Sequence, residues 1–104
     1  MLTKAAIMVN FKKAMQQADE LDEIANSLSR SAKSELEGTL QSVSANWKGE
    51  NAERYLTKGD NLQGKIYSSA KSLHGIAADI RKVARKIYDA EMRALAVAET
   101  RNYK

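Results

Sequence analysis

The chain contains no proline, and its helical periodicity breaks at one place, Ala45-Asn46-Trp47-Lys48-Gly49-Glu50-Asn51, close to the midpoint of 104 residues. A proline inside a helix removes a backbone donor and clashes with the preceding turn, so a chain without one is free to build long helices on either side of the break. Gly49 tolerates a positive φ that other residues resist. Asn46 and Asn51 flank it, and asparagine suits turns and helix caps. A chain that reverses once folds back on itself as two arms. The expected fold is therefore all-α: an antiparallel two-helix hairpin, with residues 1–104 as a single domain. Its expected parts are an N-terminal tail at 1–9, helix 1 at 10–44, the bend at 45–50, helix 2 at 51–99 and a frayed C-terminal tail at 100–104. Thr3 and Asn10 are both able to cap the first helix, and Asn10 is preferred because the period becomes visible only from Phe11.

Each arm carries an apolar face. In the first, Phe11, Ala14, Ala18, Leu21, Ala25 and Leu28 recur at steps of three and four. Ala32, Leu36 and Leu40 then step by four, and Val43 and Trp47 restore the mixed rhythm. Met15 and Ile24 widen the stripe. The run of fours resembles a stutter, where a coiled coil locally unwinds. In the second arm, Ala52, Gly59, Ile66, Leu73, Ile80, Ile87 and Ala94 lie seven apart. Tyr55, Leu62, Ser69, Ile76, Val83, Ala90 and Val97 form a parallel row three residues on. This is an a/d heptad pattern. A third row, Leu56, Ala70, Ala77, Ala84 and Ala98, widens the face with mostly small side chains. A face that wide meets two neighbours, the first arm and a partner chain. A two-helix chain also makes a thin core, and small folds are marginal without added burial.

The net charge of +4 is unevenly spread: residues 1–50 sum to −1 and residues 51–104 to +5. The difference in sign favours pairing of the arms, weakly and at long range. Alanine, leucine, lysine and glutamate dominate, which favours helix. Cysteine is absent, so disulfides and thiolate metal sites are excluded. The first nine residues lack the apolar core and cleavage site of a secretory leader. No apolar run approaches the ~20 residues that cross a bilayer. An exported form of this chain is expected to use a route that reads something other than a cleaved leader.

Trp47-Lys48-Gly49, set centrally between two amphipathic arms in a chain of about one hundred residues, resembles the WXG-motif family, the early-secreted-antigen-like proteins of type VII secretion. The longer form of the motif, tryptophan-x-glycine-x-x-alanine-x-x-aromatic, is met by Trp47, Gly49, Ala52 and Tyr55. The resemblance implies a helical hairpin that dimerises, with itself or a related hairpin protein, into a four-helix bundle. It implies export without a cleaved leader by a membrane ATPase machine, from a cytoplasmic pool. It also implies action as a secreted substrate or as a targeting partner for a larger toxin with a helical N-terminal domain. One departure stands out. The family's export signal is a C-terminal tyrosine with an acidic residue four positions later, and here Tyr88 is followed at that spacing by Met92. The nearby acids are Asp89 and Glu91. A variant signal around Tyr88, Asp89 and Glu91, or reliance on the partner's signal, is expected.

Other constellations point to surface chemistry. His74 is the only histidine, and no nucleophile converges with it from adjacent helical positions, so it is read as an ordinary helix-surface residue. Asp19-Glu20-Leu21-Asp22-Glu23 points its acids in different directions, which suits a solvated face better than a metal site. In a hairpin it falls opposite residues near 75, within reach of Lys71 and Lys82. Arg81-Lys82-Val83-Ala84-Arg85-Lys86 is the densest basic patch. It carries the competing reading, a basic helical nucleic-acid-binding or architectural protein, although no aromatic interleaves with its charges. A structural coiled-coil subunit is a third reading. No enzyme, cofactor site or small-molecule substrate is expected. The residues expected to carry the function are Trp47, Gly49, Ala52 and Tyr55 at the turn, and Leu21, Leu28, Leu36, Leu62, Ile66, Leu73, Ile76, Ile80 and Ile87 at the bundle interface.

Overall fold

The structure, a computed structural model, describes residues 3–102, which are helical almost throughout, with no strand among them. Three α-helices follow in order: α1, Lys4–Ser31; α2, Glu37–Asn46; and α3, Glu50–Asn102. A π-helical turn, Ala32–Leu36, joins α1 to α2 without a break in the hydrogen-bonded backbone.

Helix begins earlier than the period suggests. Thr3, not Asn10, is the cap: its Oγ1 accepts the backbone N–H of Ala6 at 3.1 Å, and its carbonyl accepts that of Ile7 at 3.0 Å. Residues 4–9 thus belong to α1 and not to a tail. Their period is hard to see because Ile7 is the one buried residue among them. The bend is also tighter than expected, with only Trp47, Lys48 and Gly49 outside helix. Trp47 takes an extended backbone (φ −111°, ψ 139°) while its N–H still bonds the Val43 carbonyl at 2.8 Å. Gly49 has φ +108°, the single positive φ among the described residues. Its carbonyl accepts the Glu53 N–H at 3.2 Å and starts α3, whose first turn carries Glu50 and Glu53 at the positive end of the helix dipole. At the other end α3 runs on through residues 100–102, so these are helix and not a frayed tail. The remainder of that expected tail, and residues 1 and 2, lie outside the described residues.

Two compact units are distinguishable. One is Asp22–His74. It is a helical hairpin, in which the end of α1, the π turn and α2 run antiparallel to the start of α3. Ala25, Ala32, Leu40, Ala52 and Ala70 are buried in it. Alanine at these positions lets the two backbones approach closely. Gly59 carries this furthest, because a Cβ at that position would overlap the Leu40 side chain. The other unit pairs the described residues up to Leu21 with those from Gly75 onward. Ile7, Ala18, Ala77 and Ala84 are its buried residues. Phe11 and Tyr88 stack at 4.9 Å between ring centroids, and the Arg85 guanidinium lies 4.7 Å from the Phe11 ring.

The packing resolves which row of the second arm is buried within the chain. The small third row, Ala70, Ala77 and Ala84, is the buried one; the row of Ile66, Leu73 and Ile80 lies beside it, and the row of Leu62, Ile76 and Val83 lies beyond that on the same side. Ile66, Leu73 and Ile80 are half-buried, whereas Leu62, Ile76 and Val83 are about half exposed. The physical reason is size. Alanine permits the close approach, and the larger side chains are displaced to the side of the contact.

Candidate association surface

Helical phase groups the flanking residues within each unit. On α3, Tyr55 and Leu62, seven residues apart, share a face of the first unit, and Ile76, Val83 and Val97, separated by seven or fourteen residues, share a face of the other. Each is between 48% and 54% exposed. Ile87 (52%) lies on the neighbouring row. On α1, Ile24 is 52% exposed, and Leu21 and Leu28 beside it are half-buried. Leu36, in the π turn, is half-buried as well. Singly exposed apolar residues are ordinary on a protein surface, but a regular row of large ones marks an interaction face.

At the turn, Trp47 is 57% exposed. Its ring lies 6.1 Å from that of Tyr55, tilted by 52°. The expected contact with Tyr55 is present, but most of the indole is open to solvent and does not fill the mouth of the hairpin. Ala52 is buried at 3% exposure, one turn before Tyr55 on α3.

The acidic cluster finds partners other than the expected lysines. Asp22 Oδ1 lies 2.6 Å from His74 Nδ1, and Asp19 Oδ1 accepts from Arg81 at 2.8 Å. Lys71 and Lys82 are exposed. His74 is therefore a cross-helix partner and not a bare surface residue. Sequence spacing missed it because the pairing joins residues 52 apart, and a hairpin's register is not fixed by either arm alone. The basic patch is likewise partly engaged. Arg81 holds Asp19, and Arg85 sits over Phe11 and Tyr88, which leaves Lys82 and Lys86 pointing to solvent from this stretch.

Tyr88, Asp89 and Glu91 lie inside continuous helix. Tyr88 is half-buried against Phe11, Asp89 is exposed, and Glu91 is half-buried with one carboxylate oxygen enclosed and without a hydrogen-bond partner. Tyr88 and Glu91 line a cleft of about 200 Å³ with Ile7, Phe11, Ala84 and Ile87. Among the described residues no group of acidic or histidine side chains is arranged to hold a metal ion, and no helix is long and apolar enough to cross a membrane.

A family described as proteins of 100 residues with WXG matches residues 6–92. The chain belongs to this WXG family. Its members are small helical proteins secreted by type VII systems, and they form helical dimers. The match includes both arms and the turn with Trp47, Gly49, Ala52 and Tyr55. No curated protein and no solved structure matches the chain.

Proposed function

We propose that the chain is a substrate or targeting partner of a type VII secretion system and acts by laying its half-exposed apolar residues against another helical hairpin. The product is a four-helix bundle, formed with a second copy or a related chain, whose composite surface the export ATPase reads. A larger toxin with a helical N-terminal domain is the second kind of partner that fits. The observation that carries this reading is the heptad spacing of half-exposed apolar side chains on α3, at Tyr55 and Leu62 in one unit and at Ile76, Val83 and Val97 in the other. Covering a large apolar side chain fully is worth ~1.5–3 kcal/mol, so five that are half covered retain a substantial driving force for association. Family membership supports the secretion route, and in this reading a cytoplasmic pool precedes export. The interface is assigned to Leu21, Leu28, Leu36, Leu62, Ile66, Leu73, Ile76, Ile80 and Ile87, and the variant export signal to Tyr88, Asp89 and Glu91.

Export is tested in cells that carry the secretion machine. The full chain should reach the medium when the ATPase is active and stay inside when it is inactivated. Truncation before Tyr88 should abolish release. Release that ignores the ATPase would remove the secretion reading, and unchanged release of the truncated chain would remove only the signal.

A further inference from the structure

The π turn at Ala32–Leu36 has a role that family membership does not assign. Along the first arm Ala25 and Ala32 are buried seven residues apart, and the next buried residue, Leu40, comes eight later. Two α-helical turns take about 7.2 residues, so a seven-residue step keeps a side chain on one face and an eight-residue step moves it off. An unbroken α-helix would put Thr39 and then Asn46 toward α3 in place of Leu40 and Trp47. A π turn closes its hydrogen bond one residue later than an α turn. The Glu37 N–H accordingly reaches back to the Ala32 carbonyl. One surplus residue is taken up there, and the face is restored.

The second arm holds this arrangement from outside. Gln63 Nε2 donates to the same Ala32 carbonyl at 3.0 Å, across 31 residues of sequence. Ser34 Oγ donates to the Arg30 carbonyl at 2.8 Å, and Thr39 Oγ1 to the Glu35 carbonyl at 2.9 Å, so side-chain hydroxyls serve the backbone on both sides of the turn. Beyond it, Leu40 reaches the gap at Gly59 and Trp47 reaches Tyr55.

We infer that Ala32–Leu36 is a one-residue register device whose effect is to aim Leu40 and Trp47 at the start of α3, with Gln63 as its positioning residue. The turn motif is set not by Trp47-Lys48-Gly49 alone but also by a surplus residue about four helical turns upstream. Were that residue kept in an unbroken α-helix, with no π turn to take it up, the motif's tryptophan would face away from its aromatic partner.

The test compares two single-residue deletions in the full chain. Both remove an exposed lysine and change the charge equally. Deleting Lys33 removes the surplus, leaves Ala32 and Leu40 seven apart, and should convert the π turn to α-helix. Its melting temperature should stay close to that of the parent at equal concentration. The NMR contact between the Trp47 and Tyr55 rings should persist. Deleting Lys65 from α3, where no surplus exists, breaks the seven-residue step from Gln63 to Ala70 and should lower the melting temperature by roughly 10 °C or more. Gln63→Ala should speed hydrogen exchange of the Glu37 amide several-fold without loss of helix. Equal effects of the two deletions on melting, whether both harmful or both harmless, would overturn the inference. So would loss of the Trp47–Tyr55 contact on deleting Lys33, or Glu37 exchange that ignores Gln63.

Discussion

Gly59 and Gly49 are the residues whose identity the structure explains most directly. At Gly59 any side chain meets Leu40. Gly59→Ala should therefore destabilise the chain by ~1–3 kcal/mol, the usual cost of overpacking a close contact. Gly64 and Gly75 have open space where a Cβ would stand, and nothing in the packing explains them. Alanine at either should stabilise by ~0.4–1 kcal/mol through helix propensity and a less free unfolded chain. Chemical denaturation followed by circular dichroism separates the signs, and a stabilising Gly59→Ala would contradict the close approach. At Gly49 the positive φ makes alanine unfavourable even though space is available. Part of this is legible in the sequence: the need for a flexible Gly49, and the place of Gly59 in an apolar heptad row. The identity of the helix that comes near, and the atom it presents, required the register.

At the scale of the elements, the cross-helix pairs define that register. Asp22 with His74, Asp19 with Arg81, Phe11 with Tyr88 and Gln63 with Ala32 are each contacts within one of the two units. The Asp22–His74 pair is partly solvated, with 27% and 43% of the side chains exposed, so its coupling is modest. A double-mutant cycle with Asp22→Asn and His74→Ala should return about 0.5–1 kcal/mol in low salt, and less as salt is raised. A coupling near zero in low salt would make the pair incidental. Helical periodicity disclosed the two arms, the break and the apolar faces. It also disclosed the irregularity at Ala32, Leu36 and Leu40, which reads as a stutter and is in fact a π turn. The distinction rests on backbone hydrogen bonding, which side-chain spacing does not encode. The error at the N-terminus has a similar origin. Thr3 caps through its own oxygen, and a cap leaves no periodic trace. Which row is buried within the chain is not legible for a different reason. Large apolar residues at heptad spacing outrank alanine on any hydrophobicity count, yet the alanines lie between the backbones because they are small.

At the scale of the molecule, charge and apolar surface divide the work. Asp22–His74 carries equal numbers of basic and acidic side chains, so the whole net charge of +4 resides in the remainder of the chain. Arg81 and Arg85 there are committed to contacts within the chain, which leaves the apolar faces as the larger feature open to a partner. Trp47→Ala should weaken assembly, since the indole is mostly open and stands beside Tyr55. Its effect on the isolated hairpin should stay small, because Tyr55 is the ring it loses. The central claim, that these faces are covered by a second hairpin, is tested most directly by mass. Sedimentation of the full chain, alone and co-expressed with a related hairpin protein from a neighbouring gene, should give the mass of two hairpins in at least one case. The double variant Leu62→Asp, Val83→Asp should remain helical and sediment as a single chain in both. A parent chain that is monomeric alone and with the neighbour, or a double variant that assembles as the parent does, would contradict the account.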